Sequence, residues 1–218
     1  ANQMNVNLDK VDYMYSVGSE RITYTKKAKP KFKVLSVGRL VPLKGFDITV
    51  RSFHLFLNNL KPEERERVEL VIVGKGSIHD KLIDYVKKNS LCQNIKIIDW
   101  MERSELKKHY ETSSLFFFPS HEGAGMVVPE ALSYGIPSLC FDNNGPGLFV
   151  NEKCGLKIPY SNYHDSVQRF SQKLDILFHD NGLTNSLADG ALKEFESSFL
   201  WDSKADRFEA IYKKITQN

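Results

Sequence analysis

The stretch Lys33-Val-Leu-Ser-Val37-Gly38-Arg39-Leu-Val-Pro-Leu-Lys44-Gly45, followed by Phe46, Val50, Phe53, Leu57 and Leu60, decides the fold. Its opening is a short apolar run that stops at a glycine, as a buried strand does. The apolar residues from Phe46 onward recur at spacings of four, three, four and three, which is one face of a helix. The same unit repeats downstream. Val68–Val73 ends at Gly74 and precedes a helical pattern of Ile78, Leu82, Tyr85 and Val86. Ile95–Ile98 precedes a short helix over 104–112. Leu115–Phe118 stops at Pro119 and leads to a helix over 129–134 closed by Gly135. Pro137–Phe141 reads as a fifth strand and Gly155–Ile158 as a sixth. Strands alternating with helices require right-handed crossovers and hence a parallel sheet. Strands that are apolar throughout fit burial on both faces. The fold class is therefore α/β: a single Rossmann-like, doubly wound parallel sheet of about six strands.

After Ser161 the chain reads as wholly helical. Val167, Phe170, Leu174 and Leu177 mark one helix; Trp201, Ala205, Phe208, Tyr212 and Ile215 mark the last, with a strong apolar stripe. That stripe must bury against this domain or a neighbour. Residues 1–31 read as a polar lead-in with five lysines between Lys26 and Lys33. The division expected is a lead-in or linker over 1–31, a ligand-binding domain over 32–200 and a terminal helix over 201–218.

The chain has 218 residues, enough for one α/β domain with extra chain rather than two full domains. Hydrophobic residues make up 41% and charged residues 26%, which excludes intrinsic disorder. Thirty Lys and Arg against 27 Asp and Glu leave +3, too little to argue for a nucleic-acid partner. No apolar run approaches ~18 residues, so no membrane-spanning helix is expected. The first ten residues lack the basic and apolar regions of a signal peptide, and the chain begins with Ala, as a piece of something longer would. Cys92, Cys140 and Cys154 are widely spaced with no CxxC, against a disulfide framework or zinc site and in favour of a reducing, cytoplasmic location.

Ligands of doubly wound sheets bind beyond the carboxyl ends of the strands, so the strand exits are the loops that matter. The first carries Gly38, Arg39 and Lys44 beside a helix start, a setting for phosphate or pyrophosphate. It lacks the GxxxxGK[ST] order of a P-loop. The second, Gly74-Lys75-Gly76, begins like a dinucleotide fingerprint, but His79 stands where the third glycine belongs, which weakens any nicotinamide reading. The fourth is the most informative: Pro119-Ser-His-Glu122-Gly123-Ala-Gly125-Met126-Val127-Val-Pro129-Glu130-Ala131. Two glutamates eight residues apart flank a glycine turn and a helix start, placed to accept hydrogen bonds from sugar or ribose hydroxyls.

In these residues the sequence resembles the carboxyl-terminal, donor-binding half of a group 1 retaining glycosyltransferase of the GT-B fold. The resemblance covers residues 32–216. It rests on Val37-Gly38-Arg39-Leu40 with Lys44-Gly45, on Val73–Gly76, on Glu122–Gly125 with Pro129-Glu130-Ala131, and on Gly155-Leu156 before Pro159. It implies that Arg39 and Lys44 hold the diphosphate of a UDP- or GDP-sugar, that Glu130 binds the ribose, and that Glu122 lies near the donor sugar. It places the amides around Gly125, Met126 and Val127 on sugar or phosphate, and the base near Gly74, Gly76, Trp100 and Met101. It implies no metal and no cofactor, since the nucleotide-sugar is a substrate, and no two aspartates here are two positions apart. It implies a separate amino-terminal domain that binds the acceptor, and a role in polysaccharide or glycoconjugate synthesis. Peripheral contact with the inner face of a membrane has only the lysine run behind it. Two departures bear on how the donor sugar is held: Leu148 stands where an acidic residue is expected, and Ala124 where an aromatic is common. The alternatives are a nucleotide-sugar-binding module without turnover, favoured by Leu148, and a phosphorylase-like or epimerase relative on the same fold.

Overall fold

The computed structural model describes residues 14–16, 18–22, 30–123 and 125–216. Its core is a six-stranded, all-parallel sheet in the order β3-β2-β1-β4-β5-β6. The strands are β1 (Phe32–Val37), β2 (Val68–Val73), β3 (Ile95–Ile98), β4 (Leu115–Phe118), β5 (Ser138–Asp142) and β6 (Gly155–Pro159). The helices are α1 (Phe46–Asn59), α2 (Pro62–Arg65), α3 (His79–Lys88), α4 (Arg103–Thr112), α5 (Val127–Ser133), α6 (Tyr163–His179), α7 (Asn181–Ser198) and α8 (Trp201–Thr216). Chain order reverses between β1 and β4, so the crevice between their exits is where ligands of such sheets bind.

The strands are apolar because both faces are covered. Val34, Leu35, Leu70, Val71, Phe116 and Phe117 are fully buried. Aromatic packing locks α6 onto the sheet: the Phe170 ring lies 4.8 Å from Phe117 and 4.9 Å from Phe141. Asn162 caps α6 by accepting from the Asp165 amide at 3.0 Å. Cys140 and Cys154 are free and buried, which pushes their thiols up to about 12 and about 11.

Three boundaries differ from the pattern reading. α5 begins at Val127, two residues before Pro129, because a proline in the first turn forfeits only an amide that has no intrahelical partner there. β5 begins after Pro137, which offers its carbonyl to Phe116 but has no N–H to donate. The tail holds three helices rather than two. α7 escaped notice because alanines, Ala188 and Ala191, fill half of its buried positions beside Leu187 and Phe195.

The described part of the lead-in, residues 14–16 and 18–22, is docked. Ser19 bridges Leu200, its amide donating to the Phe199 carbonyl at 2.8 Å. The Tyr15 ring stacks on Phe199 at 5.1 Å and meets Phe149 edge-on at 5.2 Å. Lys204 is 4% exposed and its ammonium donates to the Tyr15 carbonyl. Of the lysine run, Lys26, Lys27 and Lys29 lie outside the described residues, as does Ala124. Among the described residues no helix is long and apolar enough to cross a membrane.

Candidate functional site

The two exits at the switch point are joined chemically. Beyond β1, Gly38 leads to exposed Arg39 and a single 3-10 turn, Pro42–Lys44, which Gly45 closes at φ +69° before α1 starts. A side chain at Gly45 would place its Cβ 2.2 Å from the Pro119 carbonyl oxygen, so glycine lets the β4 exit lie against the β1 exit. The His121 amide donates to the Leu43 carbonyl at 2.9 Å. This contact carries Glu122 to Lys44, and the two form an ion pair. Their side chains are only 21% and 13% exposed, and the ammonium also stands 5.3 Å from the Phe118 ring centroid. Two residues of opposite charge, 78 positions apart, thus close the floor of the crevice while Arg39 stands exposed beside it.

The β5 exit supports this floor. The Asn143 side-chain amide donates to the Ser120 carbonyl at 2.8 Å, and its Oδ1 accepts from the Gly145 and Gly147 amides, both at 3.1 Å. Gly145 lies so close under Glu122 that a Cβ would fall 1.8 Å from the Glu122 carbonyl oxygen. Gly125 packs on Pro146, whereas Gly123 faces open space. Met126 is exposed and Val127 half-buried at the start of α5. Leu148 is 52% exposed, and its carbonyl accepts from the Tyr15 hydroxyl at 2.7 Å. The supporting role of Asn143 was missed in the sequence, where the Asn-Asn-Gly run signals only a turn.

Glu130 lies in a different recess. It accepts from the Tyr110 hydroxyl at 3.1 Å, in a cavity of about 310 Å³ lined also by Arg103, Ser104, Lys107 and Tyr134. Burial raises its carboxyl above the usual range, with the Tyr110 hydrogen bond and the Arg103 charge pulling the other way. Burial and the neighbouring Glu130 push the Tyr110 hydroxyl well up. The two glutamates therefore serve different neighbours: Glu122 the β1 exit, Glu130 the start and body of α4.

At the β2 exit the glycines answer to packing between loops. A Cβ on Gly74 would lie 1.8 Å from the Gly38 carbonyl oxygen, and one on Gly76 2.3 Å from that of Leu40. At the β3 exit Met101 is half-buried against the core, while Trp100 is 70% exposed. Lys44 and Glu122 are brought together at the switch point, with Arg39, Gly123 and Gly125 on the same two exits; Glu130 lies apart in the recess against α4, and Trp100 and Met101 follow β3.

These features define an open, doubly wound α/β domain whose switch-point crevice is walled by paired charges. The chain belongs to the group 1 glycosyltransferases: it matches the family described as "Glycosyl transferases group 1" over residues 20–194. It is similar to a D-inositol 3-phosphate glycosyltransferase of Kineococcus radiotolerans, 26% identical over 85% of this chain and 45% of the relative. A second enzyme of that name, from Acidothermus cellulolyticus, is 30% identical over 83% of this chain and 40% of its own length. The chain thus spans less than half the length of these relatives. The fold matches the pneumococcal O-GlcNAc transferase GtfA, solved with UDP and GlcNAc (TM-score 0.74, 19% identity, 90% of this chain and 38% of that one). It also matches the C-terminal domain of a group 1 protein, LpcC, from Francisella tularensis (TM-score 0.67, 18% identity, 79% of this chain and 88% of that one). The family and the fold read from the sequence motifs are borne out.

Proposed function

We propose that this domain binds the nucleotide-sugar donor of a glycosyltransferase that retains anomeric configuration. The observation that carries the proposal is the half-buried Lys44–Glu122 pair at the switch point, with Arg39 exposed beside it. A diphosphate entering there meets Lys44, already held in place by Glu122, and Arg39 exposed on the same loop; a cation positioned beforehand is how charge developing on a departing group is stabilised with little reorganisation. The bond that breaks joins the anomeric carbon to the diphosphate oxygen; the electron pair leaves with the diphosphate, facing Arg39 and Lys44. The new bond forms from an acceptor hydroxyl to that carbon, on the face the diphosphate left. The acceptor proton passes to the departing diphosphate oxygen on that same face, so that the bond and proton made there balance those broken. Glu122, already bonded to Lys44, sits between the diphosphate and the sugar, and the bare turn at Gly123 leaves room for the latter. Glu130 holds ribose hydroxyls. The binding of UDP together with GlcNAc by GtfA, which shares this fold, supports a donor of this chemistry.

The acceptor is held by a further, amino-terminal domain, whose absence would remove the orientation on which transfer depends; α8 is the helix that reaches it. No metal is needed in this reading. The reaction is placed in the cytoplasm, in assembly of a polysaccharide or glycoconjugate. One observation favours a second reading, a binding module without turnover: exposed Leu148 occupies the place of the expected acid. Calorimetric titration with UDP, GDP, ADP and their glucose conjugates tests the donor site. Binding that weakens by about tenfold or more in Arg39→Ala and Glu130→Ala is the expected result. Binding indifferent to both substitutions would refute the site.

A further inference from the structure

A cavity of about 640 Å³ lies beside the Gly123 turn and plays no part in the donor-site reading above. Its volume is that of a ligand pocket. Gly123 forms part of its wall, and the missing side chain there leaves open space. Leu148 and Phe149 of the β5 exit, Tyr15 of the lead-in, and Lys204 and Arg207 of α8 line it too. Among the described residues no carboxylate lines it.

Lys204 is the uncommon member of this wall. It is 4% exposed, its ammonium donates to the Tyr15 carbonyl, and the Trp201 ring centroid stands 5.6 Å away. No carboxylate among the described residues pairs with it. Burial and the Arg207 charge hold it below the ordinary lysine range. A buried charge without a counter-ion is costly, and an anion in the cavity would relieve that cost. Three serines complete the wall. The Ser203 hydroxyl donates to the Glu196 carbonyl at 2.6 Å, that of Ser197 to the Glu194 carbonyl at 3.2 Å, and that of Ser198 to the Glu194 carboxylate at 2.7 Å. Each proton is thereby engaged, and the oxygens offer a ligand lone pairs only.

We infer that this cavity takes the acidic end of the transferred sugar, and that the donor is a nucleotide-linked hexuronate. This rests on the donor-site reading above, which puts the sugar at the bare Gly123 turn. A neutral hexose would supply hydroxyls but leave the Lys204 ammonium without a counter-ion. An inorganic anion would supply charge but no C–H face for Leu148 and Phe149. A sugar acid supplies a carboxylate for Lys204, hydroxyl protons for the serine oxygens and an apolar face for the β5 exit. Leu148 then has a reason. An acid in its place would set a negative charge on the wall of this cavity and repel the carboxylate; leucine removes that repulsion. Lys204 is the counter-ion, and Leu148 determines specificity by its lack of charge.

The experiment is calorimetric titration of the 218-residue chain with UDP, UDP-glucose and UDP-glucuronate, and with GDP, GDP-mannose and GDP-mannuronate. It is repeated on Leu148→Glu and Lys204→Met after their folding is checked by circular dichroism. The uronate should bind ~10-fold or more tightly than the neutral sugar on the same nucleotide. That ratio should fall to one or below in Leu148→Glu and approach one in Lys204→Met, with affinity for the bare nucleotide unchanged in both. Neutral sugar bound as tightly as uronate, with bare-nucleotide binding still dependent on Arg39, would overturn the sugar-acid assignment and leave the donor site standing. A uronate preference indifferent to both substitutions would overturn this cavity as its source. No binding by any nucleotide at millimolar concentration would overturn both readings. Leu148 is 52% exposed, so Leu148→Glu decides the matter even where Lys204→Met fails to fold.

Discussion

Glu130 shows how a single residue divides stability from binding. Burial raises its carboxyl above the ordinary range, against the pull of Tyr110 and Arg103. The folded state therefore holds this proton more tightly than the unfolded chain does. Between the ordinary and the raised value the folded chain keeps a proton that the unfolded chain has lost, so stability falls as pH rises through that window. Above it the cost is fully present. Glu130→Gln keeps an acceptor for the Tyr110 hydroxyl and removes the charge. The expected outcome is a higher melting temperature than wild type at pH 7, a difference that closes as the pH is taken below about 4, and nucleotide binding weakened by about tenfold. A variant less stable at pH 7, or a difference unchanged by acid, would show that the carboxylate is not strained by burial. Glu122 and Glu130 were legible because a glycine turn, a strand and a helix start fix their spacing. Their separate neighbours were not. The partners Lys44 and Tyr110 lie 78 and 20 positions away, and no local pattern records such a pairing.

Among the elements, the strands were read almost to the residue, because a run apolar on both faces and ended by Gly or Pro has no competing explanation. The helices were read less well wherever the buried face is small, as at Ala188 and Ala191 of α7, or the element is a single turn, as at α2. Also hidden was the docking of residues 14–16 and 18–22, where Tyr15 fills the space between Phe149 and Phe199. A few tyrosines in polar chain carry no periodicity. Element packing makes its own prediction. Phe170 is fully buried on α6, with Phe117 of β4 and Phe141 of β5 at 4.8 and 4.9 Å between ring centroids. Those two strands deliver the Glu122 turn and the Asn143 turn. Phe170→Ala should lower the unfolding free energy by about 3–5 kcal/mol in a denaturant titration. A loss under ~1 kcal/mol would mean that α6 collapses into the cavity or is not fixed by this contact.

At the scale of the molecule the unfinished feature is α8. Its stripe has the helical spacing of a buried face, yet Trp201, Phe208, Tyr212 and Ile215 are 48%, 51%, 66% and 66% exposed, and the buried residue of the helix is Lys204. The helix is anchored at its first turn, where the Trp201 amide donates to Ser19 and the ring covers Gly18. Beyond that turn it contributes apolar surface without burying it. A stripe that stabilised this domain would lose about 3–5 kcal/mol for each large aromatic truncated, whereas one facing solvent or another domain would lose about 0.5 kcal/mol or less. Phe208→Ser with Tyr212→Ser is therefore expected to leave denaturant unfolding of this chain within about 0.5 kcal/mol of wild type. The same change should reduce binding of a hydrophobic dye to the folded state, because the exposed patch is what the dye finds. A loss above ~1 kcal/mol would place the stripe on this domain's own core. Unchanged stability with weaker dye binding leaves the stripe as a face that this domain does not bury, open to the further domain proposed above.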